Sequence, residues 1–236
     1  MPYKTYHFKS LTSTQDKAKE FSKKGLSNIV VIADVQTKGR GRFKRKWHSS
    51  KGGLWMSILL KPKSAENMQY LTFIAAISVA KVIKKMTGID AKIKWPNDVH
   101  YKGKKLCGIL TEGIFGKESY AVVGIGLNVN QDKFPTDIQN TAASLKIIKK
   151  KNINITKLAK YIIDEFFKAY NKNNTKNILK TWKKYCDTMG KEVSAITRNK
   201  TIKGKAIGVD GDCSLLLKLK NGRIAKIVEG DVNVRY

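Results

Sequence analysis

Lys38-Gly39-Arg40-Gly41-Arg42-Phe43-Lys44-Arg45-Lys46-Trp47 packs three arginines, three lysines, two glycines and a tryptophan into ten residues. Glycines in alternate positions allow positive φ and leave backbone N–H groups accessible, as in an anion-binding nest. Arg40, Arg42 and Arg45 offer planar forks for phosphate or carboxylate. Trp47 offers a flat face to a purine, a kind of stacking worth about 1–3 kcal/mol. Such a set suits a nucleotide or an acyl-adenylate. It also suits a basic surface loop or an RNA-binding Arg/Gly segment. It is not a Walker A loop, because no Gly-Lys-Ser/Thr ending follows.

The elements around the loop are ordered, unlike those of an Arg/Gly tail. Ile29–Val35 is a β-branched run that reads as a buried strand, and Leu54–Leu60 is another. Before them, Tyr3–Phe8 is a short strand, and Ser13 or Thr14 caps a helix that Gly25 ends. After them, Asn67–Met86 is a helix apolar around most of its circumference, stopped by Gly88. Ile93–Trp95, a Val99–Lys105 hairpin turning at Gly103, Leu106–Glu112 and Tyr120–Val129 add strands, and Ser144–Ile148, Ile155–Tyr170 and Lys176–Cys186 add helices. Strands and helices mix without strict βαβ alternation, which implies an α+β fold on a mixed β-sheet, with the helices on one side. From about residue 189 the texture changes. Four short strands (Lys191–Ile196, Thr201–Val209, Ser214–Leu219, Arg223–Glu229), with tight turns at Asp210-Gly211 and Asn221-Gly222, fit a small β-barrel. The expected division is 1–188 and 189–236.

Bulk properties bound the reading. Apolar residues form 42% of the 236 and the net charge is +29. A disordered chain could be as charged, but would not carry runs such as Leu71–Ile77 or Val122–Leu127. The charge favours anionic partners without choosing among them, and most of it is scattered lysine. Cys107, Cys186 and Cys213 are odd in number and far apart, which argues against a disulfide framework and a Cys-based metal site. His7, His48 and His100 have no zinc spacing. No apolar run reaches membrane-spanning length and no apolar leader opens the chain, so a cytoplasmic protein without a membrane is expected.

Four motifs then carry a resemblance. Gln36 to Arg42 with Arg45-Lys46-Trp47, Ser49 and Gly52-Gly53 is the first. Lys94-Trp95-Pro96-Asn97-Asp98-Val99 is the second, and Lys104-Lys105-Leu106-Cys107-Gly108-Ile109-Leu110-Thr111-Glu112 the third. Gly124-Ile125-Gly126-Leu127-Asn128-Val129-Asn130 is the fourth, and Thr12-Ser13-Thr14-Gln15 precedes them all. In order and spacing these resemble the signatures of biotin–protein ligases, from about residue 8 to residue 130. The resemblance implies a class II aminoacyl-tRNA-synthetase-like catalytic domain followed by an SH3-like barrel. It implies ATP and biotin as substrates with Mg²⁺, a biotin carboxyl carrier protein or domain as acceptor, and a homodimer.

By the same resemblance, Ser13, Thr14 and Gln36 hold the ureido ring, while Gly39, Gly41, Gly108 and Gly124 line the slot. Lys105 and Arg40 serve the junction of carboxylate and α-phosphate, where two anions must meet. Arg42, Arg45, Trp47, Asn97, Asp98 and Asn128 serve the nucleotide. Trp47 covers the adenine. Arg45 contacts pyrophosphate or ties the loop to the body, and Asp98 binds Mg²⁺ or positions Lys105. Asn97 and Asn128 bond the adenylate or organise its surroundings. The glycine loop is expected to be mobile and to order over the ligand as a lid.

Three positions depart from the family pattern: Gln15 stands where Asn is common, Lys38 where a small residue is usual, and Lys44 where glycine is frequent. Some relatives carry an N-terminal helix–turn–helix and repress transcription. Here the Ser13-Thr14 element begins almost at once, so specific DNA binding is not expected. The competing readings are lipoate or octanoate ligation, a basic nucleic-acid-binding module, and an inactive scaffold.

Overall fold

The computed structural model describes residues 2–62, 68–116, 118–197 and 200–234. The expected helix start at Asn67 lies outside them. The first sheet has seven strands in the order β1-β2-β3-β7-β6-β5-β4. These are β1 (Lys4–Leu11), β2 (Ile29–Gln36), β3 (Leu54–Leu60), β4 (Lys92–Lys94), β5 (Asp98–Tyr101), β6 (Lys104–Ile114) and β7 (Tyr120–Leu127). Only β1 and β2 run parallel, joined through α1 (Thr14–Lys23); the other pairs are antiparallel. The sheet is therefore mixed, as the sequence implied.

The helices occupy both faces, not the single side expected. Val30, Met56 and Ile58 join the large apolar core with α2 (Met68–Thr87) and α4 (Ile155–Lys172). Their strand neighbours Ile29, Val31 and Leu59 point the opposite way and pack with Ala18 of α1. Strand side chains alternate between faces, so two apolar faces require two covers. The continuous apolar runs of β2 and β3 carried that signal. The helix α2 packs on the sheet and on α4 and α5 (Thr175–Tyr185), which explains its nearly uniform apolarity. A short α3 (Leu145–Lys149) is capped by Ser144, whose side chain accepts from Ile147 N.

The second sheet has five antiparallel strands in the order β11-β10-β9-β8-β12. They are β8 (Glu192–Ile196), β9 (Thr201–Val209), β10 (Leu215–Lys218), β11 (Ile224–Ile227) and β12 (Asp231–Val234). The sequence reading missed β12, because Asp-Val-Asn-Val after Gly230 is too short and too polar to stand out. Gly222 supplies the left-handed residue of the β10–β11 turn (φ 82°), but in the β9–β10 turn Cys213 takes that conformation (φ 66°) rather than Gly211. This unit is SH3-like. Its apolar side chains Val193, Ala206 and Leu215 continue the core that holds Trp95, and Trp95 Nε1 donates to Cys213 O at 2.9 Å. Among the described residues no helix is long and apolar enough to cross a membrane.

Candidate active site

The basic loop is a folded hairpin. Trp47 N donates to Gly39 O at 2.9 Å and Gly41 N to Arg45 O at 2.8 Å. Phe43 and Lys44, with φ of 53° and 57°, make its tip from two successive left-handed residues. The guanidinium groups of Arg42 and Arg45 lie 4.9 and 5.7 Å from the Phe43 ring centroid. Lys44 thus occupies a conformation that glycine adopts more readily. The loop expected to act as a lid is thus a hydrogen-bonded hairpin.

Beneath the hairpin lies a cavity of about 360 Å³. Its floor is the α1 face of β7 and β6, where Gly124 and Gly126 stand opposite Leu110 and Gly108. One end is polar. Gln36 Oε1 accepts from Thr14 N at 2.8 Å and from Thr14 Oγ1 at 3.0 Å, while Gln36 Nε2 donates to Ser49 Oγ at 2.9 Å. Thr14 Oγ1 also meets Ser57 Oγ at 2.8 Å. Ser13 sits at the N-cap of α1, but its side chain makes no capping bond. Its hydroxyl instead accepts from Arg40 Nη1 at 3.2 Å. Ser13 is thus the expected N-cap residue of α1, with its hydroxyl turned to Arg40.

The other end is charged. Lys105 Nζ stands 2.7 Å from Asp98 Oδ1 and 5.2 Å from the Trp47 ring centroid. The Trp47 indole lies across Gly108 and Gly126: a Cβ added to either would come within 2.9 or 2.5 Å of it. Asn97 Nδ2 donates to Ile109 O at 2.7 Å and its Oδ1 accepts from Arg42 Nη1 at 3.4 Å. Asn128 is buried and accepts from Gln131 Nε2 at 3.5 Å. Both asparagines line the cavity while their side chains bond to its wall.

Of the residues singled out from sequence, Ser13, Thr14, Gln36, Arg40, Gly41, Arg42, Arg45, Trp47, Asn97, Asp98, Lys105, Gly108, Gly124 and Asn128 all line this cavity. Gly39 does not. It lines a smaller adjoining recess, and a Cβ there would meet Ser49 Oγ at 2.5 Å, so it shapes the hairpin from behind. Arg40 lines the cavity but is occupied. It grips Asp16 with both nitrogens, at 3.0 and 2.8 Å, and reaches Glu112 at 3.2 Å. The Asp16 bond, aided by the charge of Glu112, raises its pKa against the opposing effect of burial. Burial lowers that of Arg42, partly offset by Asp231 and Asp98.

Sequence reasoning missed Ser57, Asp16, Glu112 and Asp231. Ser57 was findable as the only polar residue in Leu54–Leu60. Glu112 closes the third motif, but nothing local marks it as a partner of Arg40, and Asp16 and Asp231 gave no local signal, since each meets its arginine across a long stretch of chain. The cysteines offer no nucleophile: all three are free, and burial pushes the thiols up, Cys186 to about 11 and Cys213 to about 12. Among the described residues, no three His, Cys, Asp or Glu side chains gather as metal ligands.

Residues 7–130 match the biotin/lipoate A/B protein ligase family. That match leaves biotin and lipoate open. Residues 188–235 match the biotin protein ligase C-terminal domain, which decides between them. The chain belongs to the biotin–protein ligase family. It is 37% identical over 234 residues to the bifunctional ligase/repressor BirA of Bacillus subtilis, covering 95% of this chain and 72% of that one. It is 31% identical over 126 residues to the biotin–[acetyl-CoA-carboxylase] ligase of Mycobacterium tuberculosis, covering 51% and 46%. Its fold matches the biotin protein ligase of Aquifex aeolicus in complex with biotin and ATP, with a TM-score of 0.87, 32% identity and 98% of each chain covered. As a biotin–protein ligase the chain is an ATP-dependent enzyme, and a nucleic-acid-binding module is not favoured.

Proposed function

We propose that this ligase joins biotin to ATP inside the cavity under the hairpin. The ureido ring rests among Ser13, Thr14 and Gln36. The apolar bicycle lies in the slot beside Gly124 and the Trp47 indole that covers Gly108, and the carboxylate points to Lys105. Arg42, Trp47, Asn97 and Asn128 frame the nucleotide. The observation that carries this reading is the Lys105–Asp98 pair, 2.7 Å apart, in the same cavity as the Thr14–Gln36 cluster and the Trp47 indole.

The carboxylate oxygen of biotin attacks the α-phosphorus of ATP, pyrophosphate leaves, and biotinyl-5′-adenylate forms. Two anions converge, so fixed positive charge at their junction is the main requirement. Lys105 supplies it, and Asp98 holds its ammonium in place. Asp98 is also the carboxylate that would share Mg²⁺ with the ATP phosphates, since such sites need only one or two protein carboxylates. Arg40 serves differently from a free cation. Tied to Asp16 and Glu112, it forms the wall between α1 and the hairpin and steadies Ser13. The hairpin excludes water from a hydrolysable anhydride. A lysine amine of the acceptor then attacks the acyl carbon and AMP leaves, with no covalent enzyme intermediate.

The acceptor is a biotin carboxyl carrier domain. Residues 1–188 form the catalytic unit and 189–236 the barrel, in a cytoplasmic homodimer whose excess positive charge attracts ATP and an acidic carrier rather than specific DNA. The test is acceptor labelling. Carrier domain, ATP and Mg²⁺ are incubated with biotin or with lipoate, and the carrier lysine is weighed by mass spectrometry. Biotin addition is expected; addition of lipoate alone would overturn the reading.

A further inference from the structure

The second sheet reaches the basic hairpin at two points. Arg45 Nη1 stands 2.5 Å from Asp231 Oδ2, and Arg42 Nη1 donates to Gly230 O at 3.1 Å. Arg42 also reaches Asn97, so the hairpin is strung between the two sheets. Asp231 is the fixed end of the ion pair. It is in register with Ile196 on β8. Gly230 before it turns at φ 151°, with so little room that a Cβ would come within 2.7 Å of Ile196 O. Arg45, by contrast, extends from a hairpin tip and is 69% exposed. Asp231, Val232 and Asn233 line the cavity beside Arg42 and Arg45, the side that the proposed reading gives to the nucleotide.

An ion pair this exposed contributes little to global stability. A hairpin tip with few other anchors is a different case, because a small bias decides where it rests.

We propose that Asp231 is a positioning residue for adenylation: by holding Arg45 it fixes the hairpin so that Arg42 and Trp47 face the nucleotide. This rests on the ligase reading above and extends it. The second sheet then sets ATP affinity and leaves biotin affinity alone. The charge of Arg45 is spent on this latch rather than on the pyrophosphate.

The test compares Asp231→Asn, Asp231→Arg, Arg45→Asp and the double exchange Arg45→Asp/Asp231→Arg. Pyrophosphate release gives KM for ATP and kcat, and calorimetry without nucleotide gives the biotin Kd. Reversing either charge is expected to raise KM for ATP about five- to tenfold, with biotin Kd changed less than about twofold. Asp231→Asn should show a smaller rise of the same kind. The double exchange should return KM for ATP close to the starting value, which a merely structural defect or a direct phosphate contact by Arg45 would not allow. Asp231→Asn keeps shape and serves if Asp231→Arg does not fold. The proposal is overturned if the single variants leave KM for ATP unchanged, if biotin Kd and KM for ATP worsen together, or if the double exchange is as impaired as the sum of the singles. Failure of the unaltered protein to release pyrophosphate with biotin would instead sink the ligase reading, so the two failures are distinguishable.

Discussion

Trp47 rests directly on Gly126: the space that a Cβ would fill there lies 2.5 Å from the indole Nε1, a buried donor with no hydrogen-bond partner. The indole touches Gly108 in the same way, so it lies flat across two strands. Two glycines on neighbouring strands make a shelf for one aromatic ring.

Gly126→Ala should therefore lift the indole. Overpacking of this kind costs about 1–3 kcal/mol. On the proposed reading Trp47 frames the nucleotide, so KM for ATP should rise roughly tenfold or more while biotin binding changes little. Steady-state kinetics with each substrate varied in turn checks this. An equal loss for both substrates would mean that the shelf supports the whole cavity.

Gln36 is pinned at both ends of its amide, by Thr14 and by Ser49. Gln36→Ala removes an acceptor for Thr14 and a donor to Ser49 and leaves polar groups unpaired. A loss of about 1–3 kcal/mol in biotin binding is expected, about fivefold to 150-fold in Kd. Calorimetry with biotin alone reads it.

The legibility of this site in the sequence was uneven. Gln36, Lys105, Trp47 and the glycines sit in short contiguous motifs, so their roles could be set out from the family resemblance that those motifs carry. The occupation of Arg40 could not, because Asp16 and Glu112 approach it from α1 and β6. In the same way β8–β11 were readable from tight-turn residues and apolar alternation, whereas β12 has four residues and needs β8 to become a strand. The helix α1 was readable, but the face it covers depends on the register of β2 against β3. Local chemistry was visible; pairing across the fold was not.

His100 and Asp187 form a buried link behind the site, 2.9 Å apart, with Lys191 at 3.4 Å from the second carboxylate oxygen. Burial alone would raise the Asp187 pKa, but the bond to His100 and the charges of His100 and Lys191 outweigh it and lower it. A carboxyl whose folded value lies below its unfolded value of about 3.9 stabilises the fold fully above that pH. The contribution is lost as pH falls through the folded value. Asp187→Asn should thus cost about 1–3 kcal/mol near neutrality, as a buried polar contact is broken. Thermal unfolding should show the gap between the two proteins closing below about pH 4. A gap unchanged down to pH 2 would assign the effect to packing.

The chain carries 47 Lys and Arg against 18 Asp and Glu, and Lys38 and Lys44 add charge to the hairpin where the family has small residues. Exposed charges act over about a Debye length, close to 10 Å at 0.1 M salt. KM for ATP should rise with ionic strength, and Lys38→Ala/Lys44→Gly should flatten the slope. A salt titration of adenylation that is already flat in the unaltered protein would remove this role for the two lysines.

The central claim is that Lys105, held by Asp98, neutralises the meeting of two anions. Single-turnover formation of biotinyl-adenylate by Lys105→Ala tests it most directly, with biotin and ATP both saturating. The expected result is a rate lower by about a hundredfold or more, with the protein folded and nucleotide still bound. An undiminished rate of adenylate formation would contradict the account.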